Sequence, residues 1–129
     1  MEKWMVDAVS ELLRVENLKK YFRTPRGLLH AVDDVSFTLQ KGETLGIVGE
    51  SGCGKSTLGR CIVHLLESTG GKIFFKNEDI TNVSGERLKE LRKYMQMIFQ
   101  DPFSSLNPRM TVKATIMEPM IIHNLHQGN

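Results

Sequence analysis

Residues 49–57 read GESGCGKST, three glycines and a single lysine set among small residues. They follow directly on the apolar run TLGIV, Thr44 to Val48, and lead into STLGRCIVHLL, where Leu58, Ile62, Leu65 and Leu66 recur at helical spacing. A short, nearly all-apolar run predicts a strand buried on both faces, and the spacing after Lys55 predicts a helix that ends at Gly70-Gly71. A glycine-rich turn held between a strand and a helix N-terminus is a place where backbone N–H groups converge on an anion.

Gly49-x-x-x-x-Gly54-Lys55-Ser56 matches the P-loop pattern in full, in the strand-then-helix context that the pattern requires. In that pattern Lys55 reaches the β- and γ-phosphates and the Ser56 hydroxyl binds Mg²⁺, a hard cation that prefers oxygen. The phosphate-binding set is therefore Gly49, Glu50, Ser51, Gly52, Cys53, Gly54, Lys55, Ser56 and Thr57. Cys53 has no histidine partner to activate it and reads as a small loop residue rather than a nucleophile.

Outward from the loop, Val35, Phe37 and Leu39 alternate with Asp34, Ser36, Thr38 and Gln40, the period of a half-buried strand. Leu12 to Leu18 predicts an earlier strand, Phe22 to Gly27 a polar connection, and Lys41-Gly42-Glu43 a turn. Beyond the helix, Lys72 to Lys76 predicts a strand. Ser84 is the expected N-cap of a helix through SGERLKELRKY, with Glu86 in its first turn and Leu88, Leu91 and Met95 on one face. MQMIF predicts a further strand ending at Gln100, DPFSSLNPR a loop, and Val112 to Ile122 a helix with a kink or boundary near Pro119.

Composition narrows the function. The chain has 129 residues, 17 Lys plus Arg against 15 Asp plus Glu, a formal charge of +2 and 2 cysteines. That length can bury roughly two-thirds of its unfolded surface in one domain or part of one. The charge balance gives no basis for nucleic acid as a partner. Cys53 and Cys61 have neither CxxC spacing nor a cluster of ligands around them, which fits a reducing setting. The first eighteen residues interleave acids with apolar residues and do not read as a secretory signal. No segment approaches the about twenty apolar residues that span a bilayer, so membrane contact is expected only through partners.

A P-loop alone does not separate kinases, GTPases and transport ATPases. The guanine-reading Asn-Lys-x-Asp motif is absent, and KNED at 76–79 has related letters in the wrong order. The discriminating residues are LKKYF around Tyr21, VDDVSF, GESGCGKSTLGR and FQDPFSSLNPRMTV. With these in order, the chain resembles the ATP-binding subunits of ABC transporters, and most closely the oligopeptide/dipeptide importer branch, over about Leu12 to Ile122.

The resemblance implies an α/β P-loop NTPase fold of the ABC type, incomplete, with an N-terminal antiparallel β portion and the start of a helical subdomain. Residues 1–129 then form the N-terminal part of the ATP-binding domain. The β portion plus P-loop core covers about 11–102, and the helical subdomain opens over about 103–129. It further implies ATP and Mg²⁺ as cofactors, Tyr21 stacked on adenine, and Gln100 as the Q-loop glutamine that meets Mg²⁺ or the attacking water. Lys55 and Gln100 are thus the catalytic candidates, with Ser56 and Gln100 toward the metal. Transmembrane permease subunits and a second ATP-binding subunit are the implied partners, at the cytoplasmic side of the membrane, and the implied task is energising import of peptides or related small solutes.

The Walker B strand with its catalytic Glu, the LSGGQ-type signature and the switch His of such proteins lie beyond the Q-loop and are not among these residues, so weak or no ATP hydrolysis is expected from this chain alone. MQMIFQD is a poor Walker B strand because Gln96 and Gln100 interrupt it. Val83 to Glu86 precedes the Q-loop and reads as a helix cap. His123 and His126 lack an accompanying acid or cysteine and read as solvated. Two other readings stand beside the transporter: a compact P-loop kinase or GTPase using Asp101 as its metal acid, and a nucleotide-binding module without hydrolysis.

Overall fold

The computed structural model describes residues 11–125. Residues 1–10, where the start without a leader was read, and His126 lie outside the described residues. The chain divides into two compact units, one through Val83 and one from Ser84.

The first unit is built on a long antiparallel hairpin. Strand β1 covers Glu11–Thr24 and β2 covers Gly27–Gln40, joined at Pro25-Arg26 with Thr24 opposite Gly27. The stretch Phe22 to Gly27, expected as a polar connection, is instead mostly ladder with a two-residue turn. The Thr24 hydroxyl donates to the Gly27 carbonyl at 2.7 Å and accepts the Arg26 amide at 3.3 Å, satisfying the turn's polar groups locally.

Helix α1, Lys55–Ile62, follows the glycine-rich stretch. Strand β3, Gly70–Phe75, returns antiparallel to β1, and the two-residue strand β4, Glu78–Asp79, closes the sheet in the order β2-β1-β3-β4. Lys76 and Asn77 between β3 and β4 both have positive φ, +49° and +64°. Positive φ at both central residues is the type I′ turn that joins two tightly paired strands. KNED is therefore a hairpin turn, which accounts for its letters without a base-reading role.

Val15 and Leu18 of β1, Val32 of β2, Ile73 and Phe75 of β3, Ile80, and Leu58 and Cys61 of α1 form the buried core. Cys61 acts there as a small apolar residue. The expected alternation holds on β2, where Val35, Phe37 and Leu39 are half-buried and Asp34, Ser36 and Thr38 exposed.

Three further expectations need correction. Helix α1 ends at Ile62, not at Gly70-Gly71, because His64 takes a left-handed φ of +57° and the Leu65 and Leu66 amides turn back to the Arg60 carbonyl. Thr44 to Val48 is not in a ladder, and its Leu45, Ile47 and Val48 are exposed, Val48 by 94%. MQMIF likewise has no ladder, and Ile98 is 96% exposed. The reason is common to both segments. An all-apolar strand exists only when neighbours pair with its edges and layers cover its faces. Among the described residues the sheet draws on other segments.

In the second unit, α2 spans Gly85–Leu91 and α3 spans Val112–Ile122. Ser84 precedes α2 in extended conformation but its hydroxyl makes no capping bond. Thr111 caps α3 instead, its hydroxyl oxygen accepting the Ala114 amide at 3.1 Å. Pro119 lies inside α3, which continues past it to Ile122 although the proline has no N–H for the carbonyl four residues back. None of the α3 side chains is buried.

Candidate functional site

Helix α1 begins at Lys55, and its first internal bond is the Leu58 amide to the Gly54 carbonyl at 2.8 Å. The amides of Lys55, Ser56 and Thr57 precede that bond and have no carbonyl of the helix to meet. Gly54 at the N-cap has no side chain to cap them, and no acidic residue occupies the first turn. The Lys55 amide meets Cys53 Sγ, while the Ser56 and Thr57 amides and the positive end of the helix dipole make an arrangement that suits an anion.

The loop before the helix is shaped by Gly52 and Gly54, with φ of +80° and +92°. Gly54 is further confined, because a Cβ there would lie 1.9 Å from the Ala31 carbonyl oxygen. That contact depends on a β-bulge. Tyr21 faces His30 while Lys20 faces Val32, leaving Ala31 as an extra residue on β2. The bulge and the glycine together let the loop close on the hairpin.

Lys55 folds across its own loop. Its Nζ donates to the Gly49 carbonyl at 2.7 Å and the Glu50 carbonyl at 2.6 Å, and lies 3.3 Å from Cys53 Sγ. An ammonium has three donors, so the cation is held within its own loop by neutral acceptors. The hydrogen bond from Lys55 pulls the Cys53 thiol below its ordinary pKa. Cys53 also covers Gly49, where a Cβ would lie 2.5 Å from Sγ. Glu50, Ser51 and Ser56 are exposed, and Thr57 is half-buried. No hydrogen bond ties the Ser56 hydroxyl among the described residues, leaving a hard oxygen ligand beside the helix start.

Tyr21 lies on the same hairpin that carries Ala31. Its amide donates to the Thr69 hydroxyl at 3.0 Å, and its ring stacks on His30 with centroids 3.9 Å apart and planes 13° from parallel. The Tyr21 hydroxyl donates to Asp33, which raises the phenol pKa and lowers that of the carboxylate. The structure therefore brings Tyr21 and the residue 49–57 loop together through residues 30 and 31. His30 and Asp33 were not anticipated from the sequence. The two-residue turn at 25–26 sets residue 21 opposite residue 30, a pairing that the loop-like composition of Phe22 to Gly27 concealed.

Gln100 belongs to the second unit and is exposed at the end of its extended run. Asp101 beside it closes a local turn, its Oδ1 accepting the Phe103 amide at 3.0 Å and the Ser104 amide at 3.4 Å. This engagement gives Asp101 a turn-forming role in place of a metal acid. Among the described residues no group of three or more His, Cys, Asp or Glu is placed to hold a metal, and no helix is long and apolar enough to cross a membrane.

Comparison with known proteins supplies the family. The profile described as ABC transporter matches residues 32–128. The oligopeptide transport ATP-binding protein OppF of Bacillus subtilis is 55% identical over 116 residues, which are 89% of this chain and 38% of the relative. The glutathione import ATP-binding protein GsiA of Pectobacterium atrosepticum is 50% identical over 121 residues, 88% of this chain and 19% of the relative. The chain thus spans well under half the length of these relatives. Among solved structures, the dimeric bacterial ABC transporter cassette MJ0796 superposes with a TM-score of 0.76 at 24% identity, covering 92% of this chain and 50% of that one, and shows the fold. A nucleotide-free ATP-binding cassette from an ABC transporter gives a TM-score of 0.60 at 32% identity, covering 87% of this chain and 47% of that one.

Proposed function

The chain belongs to the ABC transporter family, and on that premise we propose that it carries the nucleotide-gripping part of an ATP-binding subunit that energises import of peptides or related small solutes. The observation that carries this reading is the Lys55 ammonium held on the Gly49 and Glu50 carbonyls at the start of a helix with no side-chain cap. The names of the oligopeptide and glutathione relatives support the solute class.

In this reading the amides of Lys55, Ser56 and Thr57 cradle the phosphate chain of ATP, while Gly49 to Gly54 give the backbone its close approach. The Lys55 ammonium moves from loop carbonyls to the β- and γ-phosphate oxygens, a charge-assisted contact in place of neutral ones. The Ser56 hydroxyl would offer a hard oxygen ligand to Mg²⁺, the Gln100 amide oxygen is the other candidate ligand, and the cation would offset phosphate charge. Tyr21 would stack on adenine through the ring face away from His30. Residues of about 11–102 form the β portion and P-loop core, and those of about 103–129 open the helical subdomain toward transmembrane permease subunits. A second ATP-binding subunit completes the assembly at the cytoplasmic face. The dimeric state of the MJ0796 cassette supports that pairing.

The test is a titration of Mg-ATP against wild type and Lys55→Ala. Removing a charge-assisted phosphate contact is expected to weaken binding by about ten- to a hundredfold. Equal affinity would remove the phosphate-cradle reading. Hydrolysis by these 129 residues alone is expected to stay at background, because the groups that position water and complete the γ-phosphate cage are not among them.

A further inference from the structure

Tyr21 is held by more than its place on a strand. His30 stacks on one face of its ring at 3.9 Å between centroids, and the His30 Nδ1 lies 3.4 Å from Asp33 Oδ2. The other oxygen of the same carboxylate accepts the Tyr21 hydroxyl, and the Tyr21 amide is fixed on the Thr69 hydroxyl. Asp33 therefore ties the two stacked rings into one unit. Both His30 and Asp33 are about half exposed, at 49% and 51%, so the cluster sits at the surface and not in the core. It adjoins the phosphate loop directly, since His30 precedes the Ala31 whose carbonyl oxygen packs against Gly54.

We propose that His30 and Asp33 are positioning residues for nucleotide base binding: together they lock the Tyr21 ring at the orientation in which the face away from His30 receives a purine. This rests on the base-stacking reading of Tyr21. A lone exposed tyrosine must give up rotamer freedom when a base stacks on it, and that ordering weakens binding. Here the ring is already immobilised from behind by an aromatic pair and at its tip by a carboxylate, so the cost is met in folding. Because His30 covers one face, the base can meet only the other. The occupant is thus a flat heterocycle whose phosphate chain runs toward Lys55.

The experiment measures binding of Mg-ATP and, separately, of inorganic tripolyphosphate to the full chain, in wild type and in Tyr21→Ala, His30→Ala, His30→Phe and Asp33→Ala. Each alanine variant is expected to weaken Mg-ATP by about three- to tenfold, the range of one aromatic pair, with tripolyphosphate unchanged. His30→Phe, which keeps the aromatic backing, should return Mg-ATP affinity to within about twofold of wild type by the same reasoning. Wild-type Mg-ATP affinity in His30→Ala and Asp33→Ala, with loss in Tyr21→Ala, overturns the positioning role and leaves base stacking standing. Wild-type affinity in Tyr21→Ala overturns both. Tighter binding in His30→Ala would mean that His30 occupies the base's own face, and parallel loss of tripolyphosphate would mean that the cluster only supports the hairpin. Either result overturns the proposal.

Discussion

Lys55 governs two neighbours at once. Its ammonium is centred by the Gly49 and Glu50 carbonyls, and from that position it donates to Cys53 Sγ, which lowers the thiol pKa. Cys61, six residues after Lys55, is buried in the core, and desolvation raises its thiol pKa. Only the thiolate is nucleophilic, so the two cysteines should differ sharply toward an alkylating reagent. Iodoacetamide at pH 8 is expected to label Cys53 well before Cys61, as read by mass spectrometry of the native protein. Lys55→Ala should slow the labelling of Cys53 and leave Cys61 unaffected. Comparable rates at the two thiols in the folded wild type would contradict this account.

At the scale of elements, the decisive contact is between the helix start and the hairpin. The Ala31 bulge on β2 presents its carbonyl to Gly54 where φ is +92°, so Gly54→Ala meets both a backbone clash and a left-handed conformation. It is expected to cost about 3 kcal/mol or more, read as a lowered urea midpoint, since neither the bulge nor the loop has a flexible side chain to move aside. A substitution tolerated at the wild-type midpoint would show that the loop is not seated on β2.

The β3–β4 corner makes a different prediction. The Asp79 carboxylate accepts the Thr81 amide at 2.9 Å and the Thr81 hydroxyl at 2.6 Å, while the Thr81 oxygen accepts the Ile73 amide at 3.0 Å. The Thr81 hydroxyl and amide hold the Asp79 pKa below its ordinary value. A depressed folded-state pKa contributes stability above the unfolded carboxylate value of about 3.9, and that contribution is lost as pH falls through the folded value. The drop in urea midpoint from pH 6 to pH 3 should therefore be smaller in Asp79→Ala than in wild type. An unchanged drop would assign the acid sensitivity elsewhere, with Asp33 the next carboxylate to test.

These elements were legible to different degrees. The alternation of Val35, Phe37 and Leu39 marked β2, and the 112–122 helix was readable to its ends. The hairpin turn at 25–26 was not, because Phe22 to Gly27 has the composition of a loop while its register is set by pairing between distant residues. His30 and Asp33 were hidden for the same reason. Their chemistry comes from facing Tyr21 across a ladder, and no local pattern announces that.

Taken as a whole, the molecule leaves much apolar surface uncovered. Leu45, Ile47 and Val48 in the first unit, and Ile98, Phe99, Val112, Ile116 and Ile121 in the second, are all exposed. Extended apolar runs with open edges invite pairing between chains. Light scattering is expected to show association of the full chain rising with concentration, and the pair Ile47→Thr with Ile98→Lys should reduce it. Monodisperse behaviour of the wild type at high concentration would count against these surfaces being sticky.

The family and the P-loop pattern at 49–57 were legible in sequence alone, because a P-loop is a local device: glycines, a lysine and a hydroxyl at fixed spacing along the chain before a helix. The strands at 44–48 and 95–99 were read from the same apolar signal and found unpaired, since a strand is a relation between segments and its partners lie elsewhere in space. Only the tertiary structure could bring Ala31 against Gly54 and set His30 and Asp33 behind Tyr21. The hairpin register sets His30 opposite Tyr21, and a one-residue bulge after it frees Ala31 to meet Gly54; both follow from the pairing of whole strands and not from any residue's own preference.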